Sequence, residues 1–177
     1  ISAGGDAKVK LWDVNTGNII STFEGHKKSV NSVAISPDGN FIVSGSNDRT
    51  AIIWDLNTGK ILNTLNTNAK VNSVAFSPNE KIIATGSDEY IIKLWEVSNG
   101  TKICTIDSDN WVNGVYSKMS VKSVAFSPNG EILATSSYNN DIKLWDVDTK
   151  QEISTLKGHS GKVNSLVFSP DGKNLFS

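Results

Sequence analysis

The stretch Ser36-Pro37-Asp38-Gly39-Asn40-Phe41-Ile42-Val43-Ser44-Gly45-Ser46-Asn47-Asp48-Arg49-Thr50-Ala51-Ile52-Ile53-Trp54-Asp55 decides the fold. It reads as turn, strand, turn, strand. Ser36-Pro37-Asp38-Gly39 fits a type I turn, because proline pre-sets φ at the second position and glycine closes the turn. Phe41–Ser44 and Ala51–Asp55 are rich in β-branched and aromatic residues, and Asn47-Asp48 makes a tight turn between them. Upstream, Val30–Ser36 reads as a strand of alternating size, preceded by the run Ile19–Phe23 and the interruption Gly25-His26. Downstream, Asn57-Thr58-Gly59 turns the chain again. No segment sustains a 3.6-residue apolar period, so no helix is predicted.

The pattern repeats. All four prolines lie in one recurring phrase, at Ser36-Pro37-Asp38-Gly39, Ser77-Pro78-Asn79-Glu80, Ser127-Pro128-Asn129-Gly130 and Ser169-Pro170-Asp171-Gly172, in steps of 41, 50 and 42 residues. Trp12, Trp54, Trp95 and Trp145 recur in steps of 42, 41 and 50, which places one long insertion between Trp95 and Ser127. Four short antiparallel strands per unit of this length predict β-propeller blades. The run Ile91-Ile92 with Leu94-Trp95 is apolar on both faces, as a strand between two stacked layers must be. The expected fold is all-β. It has about four blade equivalents, three complete units flanked by two partial ones, over residues 1–18, 19–60, 61–101, 102–151 and 152–177.

Composition narrows the function. The 177 residues suit one domain. Seventeen basic and eighteen acidic residues leave a net charge of −1, which disfavours a nucleic-acid footprint. No run of 18 apolar residues exists to form a membrane-spanning helix. Cys104 is the single cysteine, so an intramolecular disulfide and a cysteine-rich metal site are excluded. No cofactor or metal is expected, and no nucleic-acid or membrane partner. A single cysteine and no leader pattern point to a cytoplasmic or other intracellular setting. The first residue is Ile1 and the last Ser177, and the expectation is a piece of a longer propeller.

These phrases resemble the WD-repeat family of β-propellers over the whole chain. The matching residues are Gly25-His26 and Gly158-His159, the Ser-Pro-Asp-Gly turns, Ser44-Gly45-Ser46-Asn47-Asp48, and the endings Leu11-Trp12-Asp13, Ile53-Trp54-Asp55, Leu94-Trp95-Glu96 and Leu144-Trp145-Asp146. The resemblance implies a hydrogen-bonded set that ties a blade together, here His26, Ser44, Asp48 and Trp54, with Ser46 able to take the serine role. The other units depart from it. The Trp95 unit has Thr85 and Glu89, but Asn66-Thr67-Asn68 stands where Gly-His is expected. The Trp145 unit has Thr135 and Asn139, and the insertion displaces its Gly-His. Looser blades are expected there. The first unit has Ser2, Asp6 and Trp12 without a His, and the last has His159 and Ser177 without Asp or Trp. Truncation, a four-blade ring and an eight-blade ring of two chains, associated through open blade faces, all remain open.

Ser44, His26 and Asp48 also have the composition of a hydrolytic triad. Recurrence in altered form beside a Trp favours a structural set over a hydrolase. Gly4-Gly5 lacks the residues of a phosphate loop, and Asp107-Ser108-Asp109 lacks the Gly and Glu of a calcium loop. Cys104 reads as a packed thiol, and Asn99-Gly100-Thr101 as a turn rather than a glycosylation site. The insertion Asp107–Ser120 carries Trp111, Val112, Val115, Tyr116 and Met119. It is read as a cap on its own blade, as a partner-binding hot spot, or as a disordered loop. Trp111, Tyr116, Met119, Arg49, Tyr90 and Tyr138 are the partner-binding candidates, with Asn47, Glu89 and Asn140 in the same turns. The expected function is a non-catalytic protein–protein interaction scaffold that binds a protein or peptide on the rim carrying residues 107–120. The alternative is a substrate- or signal-recognition module of a larger signalling or defence protein whose effector domain lies outside this segment.

Overall fold

Runs of β-branched residues separated by Gly, Asn and Asp turns fold as a meander. The computed structural model describes residues 1–88, 90–107, 120–137 and 139–177. The first sheet has three strands, β1 (Ser2–Ala3), β2 (Lys8–Trp12) and β3 (Ile19–Glu24). The next has four, β4 (Val30–Ile35), β5 (Phe41–Ser46), β6 (Thr50–Asp55) and β7 (Ile61–Asn66). It is followed by β8 (Val71–Phe76), β9 (Ile82–Ser87), β10 (Ile91–Glu96) and β11 (Lys102–Asp107). The third four-stranded sheet is β12 (Val121–Phe126), β13 (Ile132–Ser137), β14 (Ile142–Asp146) and β15 (Glu152–Leu156). A short pair, β16 (Val167–Phe168) and β17 (Leu175–Phe176), ends the chain. Every pairing is antiparallel, and none of the described residues is helical.

The hydrogen-bonded sheet is offset by one strand from the sequence unit. The unit 19–60 begins with β3, yet β3 pairs with β2, with Val9 opposite Phe23. The reason is turn length. Asp13 and Asn18 close a tight hairpin through the Asp13 N–H to the Asn18 carbonyl (2.9 Å), whereas residues 25–29 carry the chain across to the next sheet. That crossing segment contains His26.

Adjacent sheets stack by their first strands. The Ser32 hydroxyl oxygen accepts the Val74 N–H (3.1 Å), Ser73 accepts that of Val124 (3.1 Å), and Ser123 accepts that of Leu166 (3.0 Å). Apolar side chains fill the space between. Val43, Ala51 and Ile53 of one sheet pack with Val71, Val74 and Trp95 of the next. The middle strands are accordingly buried on both faces, while β7, β11 and β15 are mostly exposed.

Closeness of the sheets constrains Gly45. A Cβ there would lie 2.4 Å from Val71 Cγ1 and 2.9 Å from Val74 Cγ1. Gly45→Ala is expected to destabilise the protein by about 1–3 kcal/mol, measured by urea denaturation, because the neighbouring sheet must shift. Ser136 holds the equivalent position in the third four-stranded sheet, and its hydroxyl donates to the Val163 carbonyl (2.9 Å).

The turns share a left-handed residue. Gly39, Gly130 and Gly172 have φ of 73°, 77° and 71°, and Glu80 takes the same position at 61°. An L side chain costs about 1–2 kcal/mol in that conformation, and glycine gives back part of the difference through its own entropy. Glu80→Gly is therefore expected to raise stability by roughly 0.5–1 kcal/mol in the same denaturation assay.

Candidate functional site: a polar chain beneath the rim

Trp54 starts a continuous polar chain. A bulge between Ile53 and Trp54 offsets the register just before the tryptophan. The indole N–H donates to the Ser44 hydroxyl oxygen at 2.8 Å. Ser44 lies 2.8 Å from His26 Nε2, and His26 Nδ1 lies 2.9 Å from Asp48 Oδ2. The Asp48 carboxylate only accepts, so Nδ1 carries the hydrogen. In the neutral ring, Nε2 then accepts the Ser44 O–H, giving one direction of donation from Trp54 to Asp48. The imidazole also stands edge-on to the indole, with centroids 6.2 Å apart.

Asp48 is saturated. Oδ2 also accepts the Lys27 N–H (2.9 Å), and Oδ1 accepts the Thr50 N–H (3.0 Å) and the Thr50 hydroxyl (2.6 Å). Burial alone would raise its pKa. The Thr50 hydroxyl, the Lys27 amide and His26 outweigh that and hold it at about 2. Ser46 does not share the Ser44 role. Its hydroxyl sits 2.9 Å from the Lys28 and Ser29 carbonyls and accepts the Asp48 N–H (3.1 Å), fastening the crossing segment to β5.

The chain therefore spans two sheets. His26 follows β3 of the first sheet and bonds residues of β5 and the β5–β6 turn. Neither Thr50 nor the Lys27 amide was foreseen as a member. The legible signal was Thr50 itself, two residues after Asp48, where a hydroxyl and an amide can both reach the carboxylate. Asn31 and Asn72 were also missed. Asn31 Nδ2 bonds the Val71 carbonyl (2.8 Å) and Asn47 Oδ1 (2.8 Å), and Asn72 Nδ2 bonds the Val121 carbonyl (3.0 Å) and Asp88 Oδ1 (3.0 Å). The repeated Val-Asn-Ser-Val carries them.

The Trp–hydroxyl pair recurs, with Trp95 on Thr85 (3.0 Å), Trp145 on Thr135 (2.9 Å) and Trp12 on Ser2 (2.8 Å). Among the described residues the histidine recurs at His159 alone, and the full chain from Trp through His to Asp is seen at Trp54 alone. In the Trp95 sheet, Lys93 reaches the Asn66-Thr67-Asn68 segment that stands where Gly-His is expected. Its ammonium donates to the Thr67 carbonyl (2.7 Å) and lies 5.9 Å from the Trp95 ring centroid. Burial lowers its pKa, aided by Lys102. In the Trp145 sheet, Lys143 lies 5.4 Å from the Trp145 ring and pairs with Glu152 at 2.9 Å. Trp12 has only a half-built surrounding and is 38% exposed, against 1% for Trp54. His159 meets Ser177 at 2.6 Å at the exposed end of the chain.

The arrangement is unsuited to nucleophilic attack. Ser44 is 0% exposed, and its oxygen already accepts the indole N–H. Among the described residues no group of three His, Cys, Asp or Glu could hold a metal ion, and no helix is long and apolar enough to cross a membrane. Cys104 on β11 is half-buried, and burial pushes its thiol pKa up.

The partner candidates divide. Arg49 is exposed at the tip of the β5–β6 turn, with φ of 73°. Tyr90 occupies the matching turn position with φ of 61° but is 6% exposed, so the partner-contact expectation does not hold for it; the turn carries its ring into the interior. Asn47 and Asn140 are half-buried. Trp111, Tyr116, Met119, Tyr138 and Glu89 lie outside the described residues.

Curated relatives match over short segments. "Nuclear distribution protein PAC1" of Arthroderma otae is 47% identical over 51 residues, covering 29% of this chain and 11% of that protein. "Small ribosomal subunit protein RACK1" of Neurospora crassa and "MST50-interacting protein 11" of Pyricularia oryzae are each 32% identical over 71 residues, covering 40% of this chain and 22% of each protein. The chain thus spans between about a tenth and a fifth of the length of these relatives. The family model described as "WD domain, G-beta repeat" matches residues 17–55, 59–96, 110–146 and 150–177, well over half the chain. With its antiparallel four-stranded sheets and recurring Trp–hydroxyl pairs, the chain belongs to the WD-repeat family.

Proposed function

We propose that this chain is a non-catalytic part of a WD-repeat scaffold whose rim loops bind a protein or peptide. One observation carries the reading. The loops at 25–29 and 47–49 are bonded to the sheet interior through His26, Ser46 and Asp48, while Lys27, Lys28 and Arg49 remain exposed. Such anchoring spares the entropic cost of ordering a loop when a partner docks. The printed name of MST50-interacting protein 11 agrees with a protein partner. The aromatic insertion, with Trp111, Tyr116 and Met119, is proposed as a contact on the same rim.

The test is affinity capture with the chain as bait. Trp111→Ala combined with Tyr116→Ala is expected to remove rim-bound partners and leave the thermal unfolding curve in place. An unchanged capture profile with an unchanged melting curve would contradict the role of the insertion.

A further inference from the structure

We infer that the rim carries a cationic ledge that selects an acidic peptide segment of the partner, an inference that rests on the rim-binding reading above and gives it a chemistry. Hydrogen bonds stitch three loops into one surface. The Lys27 N–H reaches Asp48 (2.9 Å), the Asn47 N–H reaches the Ser29 carbonyl (3.0 Å), and the Thr67 N–H reaches the Arg49 carbonyl (3.1 Å). The Asp88 N–H continues the line to the Lys70 carbonyl (2.9 Å). Lys27, Lys28, Arg49 and Lys70 are all exposed along it.

The acidic groups beside these cations are already engaged. Asp48 is turned inward on His26, Thr50 and the Lys27 amide. Asp88 accepts the Asn72 amide and the Ser120 hydroxyl, and it faces Lys70 and Lys122. Glu24, at the end of β3, is paired with Lys8 at 2.6 Å. Asp6, in the β1–β2 turn that bonds Ser29 and Val30, accepts the Lys8 N–H (3.2 Å) and lies 4.0 Å from the Lys10 ammonium, so Lys27, Lys28 and Arg49 form the open part of the ledge and Lys70 its shielded end.

The opposite ends of the sheets are mixed in sign. Their turns carry Asp13, Asp38, Asp55, Glu80, Glu96 and Asp146 interspersed with Lys60, Lys81 and Lys150, so no run of cations like Lys27, Lys28 and Arg49 stands there. Arg49 adds geometry to charge. The β5–β6 turn forces its backbone into the left-handed region, and the guanidinium fork can grip a carboxylate with two parallel bonds. A peptide fits better than a nucleic acid. The ledge has few charges, short of the run of cations that tracks a phosphate backbone.

The experiment is fluorescence anisotropy with the full chain and a labelled Glu-rich decapeptide, its Gln counterpart, and a single-stranded oligouridine of matched charge. The Glu peptide is expected to bind, to weaken as salt rises, and to lose roughly tenfold or more in affinity in the Lys27→Glu, Arg49→Glu double variant. Lys81→Glu on the opposite rim is expected to leave binding unchanged, and tryptophan fluorescence verifies that both variants are folded. Equal binding of the Gln peptide, tighter binding of oligouridine, or full affinity in the double variant would each overturn the ledge. Affinity capture separates this failure from failure of the rim reading. Partners that survive charge reversal but are lost with Trp111→Ala and Tyr116→Ala would leave the rim reading intact and overturn the ledge alone.

Discussion

Trp54→Ala is expected to lower the unfolding free energy by about 3–5 kcal/mol in equilibrium urea denaturation. Two effects add. The indole is among the largest fully buried side chains and packs edge-on against Phe23, with centroids 5.8 Å apart, so its removal leaves a cavity shared by two sheets. Ser44 also loses the donor that fixes its hydroxyl toward His26. Trp12→Ala is the internal control. It breaks the matching bond to Ser2 at a half-exposed site, so a distinctly smaller loss is expected. Equal losses at the two sites would mean that burial between sheets is not what makes the tryptophan important.

Asp48→Asn is expected to remove a pH-dependent part of the stability. The carboxyl titrates at about 2 in the folded protein, below the ordinary value of 3.8. A depressed carboxyl stabilises the fold above its unfolded pKa, and that stability is lost as pH falls from about 4 to about 2. The contribution at neutral pH is on the order of 2 kcal/mol. Denaturation midpoints measured between pH 7 and pH 2 are expected to converge for wild type and Asp48→Asn at the acid end. Turn aspartates such as Asp13 and Asp55 are also depressed, by backbone and side-chain bonds from their own turns, so the informative quantity is the difference between the two proteins. A constant difference down to pH 2 would contradict the assignment.

Much of this architecture is legible in the sequence because its period is carried by residues with narrow backbone roles. Pro37 and Gly39 set a turn, Trp54 needs both burial and an acceptor, and Ser44 sits where one can be supplied. The identity of the hydrogen-bonded sheet was less visible. Periodicity marks a repeat without marking its phase, and only turn length distinguishes the hairpin after Trp12 from the crossing at His26. The bond from Lys93 to the Thr67 carbonyl was hidden for a different reason. Lys93 aligns with Ile52 on a central strand, where a lysine reads as a surface residue; its ammonium reaches Thr67 only once neighbouring strands are placed. Tyr90 misled similarly. It shares its turn position with Arg49, and sequence position alone does not say which ring folds inward.

Hydrogen exchange of the wild-type chain and His26→Ala is the most direct test of whether the buried chain holds the rim. The account predicts that protection is lost selectively in the crossing segment at residues 25–29 and in the turn at residues 47–50, with the Ser77–Ile82 turn on the opposite rim unaffected. Uniform loss, or no change at the Thr50 amide that bonds Asp48, would contradict it.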